Sequence, residues 1–173
     1  MNELLPDTQQ IGVGVIVGCC GWDQQLEQNR QNFLVQYMFR SRFDNTNPTS
    51  MTPAEYVDRL FANTGIMPTP TERATAIAEF SGAPNTFDVL ARARALREIV
   101  DNPRFIQQES NRAFVLMEYL GYLRRNPNDA PDLDYTGYDF WLAKLNQFNG
   151  NFIQAQMVKA FISSTEYRGR FGS

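Results

Sequence analysis

The chain has 173 residues, 43% of them hydrophobic and 13% aromatic, and a formal net charge of −3. Those values describe a globular chain, one domain or two small packed units, and so weak a charge excludes a generic phosphate-tracking nucleic-acid binder. Histidine is absent, which removes Ser-His-Asp and Cys-His nucleophilic systems together with the zinc sites that need imidazole.

Residues 1–22 form an apolar, Gly-rich N-terminal segment. Its core, Ile11 to Cys20, is about half the roughly 20 residues that a membrane span requires, so no span is expected. Met1 to Asp7 carries Glu3 and Asp7 and no Lys or Arg, unlike the basic start of an export signal. Ile11-Gly12-Val13-Gly14-Val15-Ile16-Val17 reads as a short extended segment, either a strand able to pair with a neighbour or a stretch buried against helices. Cys19 and Cys20 are adjacent and cannot staple distant segments.

From Trp22 onward apolar residues recur at helical spacing, which predicts an all-α fold, a compact helical bundle. A first helix is expected over about Asp23 to Arg42, with Leu26, Phe33, Leu34, Tyr37 and Met38 on one stripe. Thr52-Pro53-Ala54-Glu55 and Thr69-Pro70-Thr71-Glu72 are capping boxes: the Thr hydroxyl accepts an early helical N–H, Pro suits the first turn and Glu reaches back. The first opens a helix closing near Gly65, the second a helix closing near Ser81-Gly82. Thr86 is a candidate cap for a longer helix through Val100.

Asn111 to Arg125 reads as a central helix, Thr136-Gly137-Tyr138-Asp139 repeats the capping logic before Phe140 and Trp141, and Asn149-Gly150 closes that helix. A helix over Phe152 to Ile162 and a last turn capped at Ser163-Ser164-Thr165-Glu166 follow. The basic clusters Arg92, Arg94, Arg97 and Arg124, Arg125 lie near acidic residues and read as solvated helix faces.

Three segments recur in order. Asn29-Arg30 with Gln36-Tyr37 matches Asn111-Arg112 with Glu118-Tyr119; Thr52 to Gly65 matches Thr136 to Gly150 with a one-residue slip; and 96–105 matches 158–167. The chain is thus expected to hold two related multi-helix units, 23–108 and 109–173.

The stretch Ala113 to Pro127, then Gly137-Tyr138-Asp139-Phe140-Trp141-Leu142, then Met157 to Phe171 resembles the bacterial family known as domain of unknown function 4214. The shared pattern is a Tyr-bearing helix, an Arg-x-Pro-Asp-like loop, a Gly-x-x-x-Trp helix start and a final Ser-x-Glu-Tyr. The match is specific over about Asn111 to Gly172, and the first half is similar to the region preceding this domain in large secreted acidobacterial proteins. Because family members sit beside Calx-beta or haemolysin-type repeats, the resemblance implies an extracellular or cell-surface accessory role and no catalytic residues.

Two chemistries remain to be placed. Asn126, Asn128, Asp129, Asp132 and Asp134 crowd one loop, of which Asn128, Asp129, Asp132 and Asp134 form a candidate calcium site, although the spacing is not an EF-hand and such loops are also ordinary turns. Among the aromatics, Tyr119, Phe140 and Trp141 are expected in the core, whereas Tyr135 and Tyr138 border the loop and are the candidate ligand contacts. Glu118, on an apolar helix, is the candidate acid of an alternative reading, an Asp/Glu-dependent carbohydrate hydrolase of all-helical type. The favoured expectation is a non-catalytic interaction module needing no cofactor, meeting other surface proteins or envelope polysaccharide and able to form homo-oligomers. A third expectation is a structural polymerising subunit, for which the N-terminal apolar segment must lie exposed or cross into another chain.

Overall fold

A computed structural model describes residues 4–172. Among the described residues every regular element is helical. The chain divides into two compact units, Met1–Asn102 and Pro103–Ser173. The division falls earlier than the expected one after residue 108, because Pro103 opens a helix that runs through that point to Glu118.

The first unit contains α1 (Leu4–Gly12), α2 (Trp22–Tyr37), α3 (Ser41–Thr46), α4 (Pro53–Thr64), α5 (Pro70–Ala78) and α6 (Val89–Val100). The expected N-terminal extended segment is therefore corrected: Ile11 and Gly12 end α1, and the chain then passes through successive turns to Trp22. The expected helix to Arg42 breaks at Met38–Arg40, since only 41–46 resume the helical path as α3. Both capping boxes form, with Thr52 and Thr69 accepting from Glu55 and Glu72 N–H and each Glu accepting the Thr backbone N–H in return. Thr86 is not a cap. Asp88 caps α6 by accepting from the N–H groups of Leu90 and Ala91, and Thr86 is buried instead.

Tyr56, Val57, Leu60 and Phe61 from α4, Ala76 from α5, Phe80, and Ala91, Ala95 and Ile99 from α6 build the core of this unit. The alanines of α6 let its backbone approach α4 closely, the arrangement that small side chains favour in a helix crossing. Helix α2 is tied to α6 by an ion-pair chain. Arg97 grips Glu27 through two 2.8 Å bonds and also bonds Asp101, which accepts from Arg30 at 2.6 Å.

The second unit contains α7 (Pro103–Glu118), a π-helical turn (Tyr119–Leu123), α8 (Thr136–Gln147), α9 (Met157–Ser163) and α10 (Thr165–Phe171). Thus the expected helix over Asn111 to Arg125 is longer at its start and loosens at its end. Helix α8 is not capped by Thr136: it opens after Tyr135 with no side-chain cap, and Asp134 accepts the Thr136 N–H at 2.8 Å in the turn before it. Residues 152–156 are turns rather than the first part of a helix. Ser164 caps α10 by accepting the Tyr167 N–H. Val115, Tyr119, Leu123, Leu145, Ala155, Met157 and Phe161 form the core, with Trp141 packed against it. Phe140, expected inside, is 59% exposed, because Trp141 and Leu145 take the inward face of α8.

Candidate functional site

The second unit carries the densest polar arrangement, and it is built around Arg125. After Leu123 the chain reverses at Arg124, whose φ of 52° is left-handed. The next residue, Arg125, is only 7% exposed. Its Nε and Nη2 donate to the two oxygens of Glu166 at 2.7 and 3.1 Å, and Nη2 also donates to Asp132 at 2.6 Å. Nη1 donates to the carbonyl oxygens of Asn126, Pro127 and Asp129, each at 3.1 Å. The guanidinium lies 5.1 Å from the centre of the Tyr119 ring. A buried cation is tolerable only when its donors are satisfied and its charge is countered, and this one has two carboxylates, three carbonyls and a π face. The Glu166 fork, and then Asp132, push its pKa up.

This geometry accounts for the oxygen-rich loop. The candidate calcium ligands have separate hydrogen-bond partners. Asp132 is engaged by Arg125, Asp129 accepts from the N–H and Nδ2 of Asn126, and Asp134 accepts the Thr136 N–H just before α8. Asn128 is exposed. Among the described residues, no group of three or more Asp, Glu or Cys side chains is placed to hold a metal ion. Carbonyl oxygens that a loop would turn toward a bound cation are turned here toward a guanidinium.

Beside Arg125 lies a cavity of about 240 Å³ lined by Tyr119, Asp132, Gly137, Trp141, Phe161 and Glu166, among others. Gly137 is required there. A Cβ at that position would stand 2.7 Å from the Tyr119 hydroxyl oxygen and 3.4 Å from Asp132 Oδ2. The sequence feature Gly-x-x-x-Trp therefore has a steric cause: the glycine admits Tyr119 and the tryptophan, one turn on, closes the wall.

Tyr135 is half exposed and meets Tyr138 edge to face at 6.1 Å. Tyr138 is more buried than expected, and its hydroxyl donates to the Arg112 carbonyl at 3.1 Å. The pair therefore offers one exposed ring edge rather than two open stacking faces. Glu118 is 5% exposed, its Oε2 has no hydrogen-bond partner, and burial pushes its pKa up. Gln36, which matches it in the repeat, is exposed and accepts from Gln10.

The reading of the basic clusters as solvated faces is corrected at two places, Arg92 and Arg125. Arg92 is 1% exposed, donates to the Asn47 carbonyl at 2.7 Å and lies 5.0 Å from the centre of the Tyr56 ring. Each unit thus buries one arginine over a tyrosine beneath an Asn-rich loop, although the repeat does not align the two arginines. A tyrosine on the helix that follows or precedes such a loop was the only sequence signal for them. Arg94 does lie at the surface, paired with Glu79, whereas Arg97 is half-buried and paired with Glu27.

A different feature stands on α7. Its inward face carries Asn111, Val115 and Glu118, while Ile106, Leu116, Met117 and Leu120 are exposed, Met117 by 67%. Compared with models of protein families, with curated proteins and with solved structures, the chain matches none.

Proposed function

We propose that the chain is a non-catalytic interaction module that assembles with a second copy of itself through the outer face of α7. The observation that carries this reading is the seam Ile106, Ser110, Ala113 and Met117 on α7, continued by Leu120 in the π-helical turn, spaced 4, 3, 4 and 3 residues apart and exposed. That is the alternation by which helices pack side by side, and over 14 residues it extends for about 21 Å. Exposed apolar surface of this kind marks interaction sites.

The order of sizes argues for a second copy. Antiparallel pairing about Ala113 sets Ala113 against its equivalent and Ile106 against Leu120, and brings the small Ser110 within one residue's rise, about 1.5 Å, of the large Met117. One patch is then complementary to itself, as a two-fold interface requires. The resemblance drawn from the sequence supports placing such a module at the surface of an exported bacterial protein, beside other surface proteins or polysaccharide.

Sedimentation equilibrium over a concentration series tests the assembly. The chain is expected to give a dimer mass that falls to monomer in Met117→Glu with unchanged helicity. In a background with Cys19 and Cys20 replaced by serine, Ala113→Cys is expected to oxidise to a covalent dimer. A monomer at all concentrations overturns the reading.

A second reading, hydrolysis of a glycosidic bond, draws on Asp132 and Glu166, which line one cavity. Such enzymes need one carboxyl as acid and one as base or nucleophile. Here both accept from the same guanidinium. Release of reducing ends from envelope polysaccharide, abolished in Glu166→Gln, would establish it.

A further inference from the structure

We infer that the turns between α1 and α2 form a knuckle that inserts into the surface of a neutral lipid bilayer. No residue from Thr8 to Trp22 is charged. Within that stretch Val13, Ile16 and Val17 are 64%, 68% and 78% exposed, and every residue from Gly18 to Gly21 is exposed as well. Three large aliphatic side chains standing this far into solvent at one loop are disfavoured unless something apolar receives them.

The knuckle has the form that a lipid surface accepts. Its base is fixed: Asn29 of α2 donates through Nδ2 to the carbonyl oxygens of Ile11 and Val13, at 2.9 and 2.7 Å. Its tip folds back on itself, with the N–H groups of Val15, Cys19 and Trp22 donating to the carbonyls of Gly12, Ile16 and Cys19. Backbone groups paired locally cost less to bring into an apolar phase, and shallow insertion of the side chains leaves the other amides of the tip at headgroup level, where water reaches them. Trp22 follows the tip and is half-buried at the start of α2, the level at which an indole suits the headgroup region.

Charge selects the kind of lipid. The chain is acidic overall, at −3, and the knuckle has no Lys or Arg, so the attraction to anionic headgroups that draws basic segments to a membrane is missing. Binding would rest on apolar insertion alone, as for a shallow interfacial segment. A protein receptor would instead have to offer a concave apolar pocket to a convex tip whose thiols and glycines give little to recognise.

Flotation with phosphatidylcholine vesicles tests this, read together with the alkylation rate of Cys19 and Cys20, the chain's only thiols. The chain is expected to float, and its thiols to alkylate about tenfold more slowly with vesicles than without. Ile16→Asp/Val17→Asp, which alters exposed positions only, is expected to lower partitioning by about tenfold or more at unchanged helicity. Met117→Glu is expected to partition like the parent chain, which separates this surface from α7. Failure of the parent chain to float overturns the inference, and so does flotation that persists in the double variant. If the double variant instead abolishes self-association, the knuckle serves a protein contact and the lipid reading fails.

Discussion

Arg125 and Glu166, 41 residues apart in sequence, meet as a two-bond fork with N–O distances of 2.7 and 3.1 Å. The fork ties the loop after the π-helical turn to the start of α10, and Asp132 extends it. Removing one member of a buried pair leaves the other uncompensated, at a cost of about 3–5 kcal/mol. Arg125→Ala is accordingly expected to lower the urea midpoint of the second unit severely. Arg125→Lys, which keeps the charge and loses the planar fork, should recover only part of the loss. Trp141 fluorescence, reporting from the adjacent cavity wall, provides the readout.

Glu118 should behave in the opposite sense. Burial raises its pKa above the ordinary carboxylate range, with no charged neighbour contributing. A group whose folded pKa is raised contributes stability that is fully present below the unfolded pKa and lost as pH rises through the folded one. At neutral pH the unpartnered carboxyl is thus a liability, and Glu118→Gln is expected to stabilise the chain there by about 1 kcal/mol. Denaturation midpoints at pH 4 and pH 7 check it: the gain should be present at pH 7 and shrink at pH 4. A variant less stable than the parent at pH 7 would show that the carboxylate is needed in its charged form.

Much of the fold was legible in the sequence because local chemistry decided it. The capping boxes at Thr52 and Thr69 fix two helix starts through hydrogen bonds three residues long, and apolar spacing marks α4, α6 and α8 without help from distant residues. The buried arginines were not legible in the same way. Arg92 and Arg125 sit in charged stretches that look solvated, and only tertiary closure over Tyr56 and Tyr119 takes them out of water. The N-terminal run misled for a related reason: apolar β-branched residues between glycines favour extended backbone, yet α1 and the turns after it are held by α2 through Asn29. Among the site residues, Asp132 and Asp134 read as candidate calcium ligands from the sequence, whereas in the structure Asp132 accepts from Arg125 and Asp134 from the Thr136 N–H.

The ion-pair chain between α2 and α6 gives the first unit its own acid response. The two Arg97 hydrogen bonds, with help from Gln31, hold the Glu27 carboxyl down to about 2, well below its ordinary value of 4.5. A depressed carboxyl contributes stability that is present above the unfolded pKa and lost as pH falls toward the folded one. The contribution should therefore disappear between about pH 4.5 and 2. The Glu27 side chain is 42% exposed, so solvent screening keeps the effect small. Glu27→Gln is expected to flatten the acid limb of the stability profile while leaving the pH 7 midpoint within about 1 kcal/mol. An acid limb unchanged in the variant would remove Glu27 from the account.

Gly137 offers the most direct test of why the Arg125 cavity needs its glycine. A Cβ there would stand 2.7 Å from the Tyr119 hydroxyl oxygen, inside van der Waals contact, so either the ring or the start of α8 must move. Overpacking of this sort costs about 1–3 kcal/mol, and Gly137→Ala is expected to fall in that range. Because the clash is with a single atom, Tyr119→Phe should relieve it. The double variant Gly137→Ala/Tyr119→Phe is then expected to be more stable than the sum of the two single changes implies, a coupling that a double-mutant cycle reads directly. Strict additivity would mean that Asp132 or the backbone of α8, rather than Tyr119, sets the limit at this position.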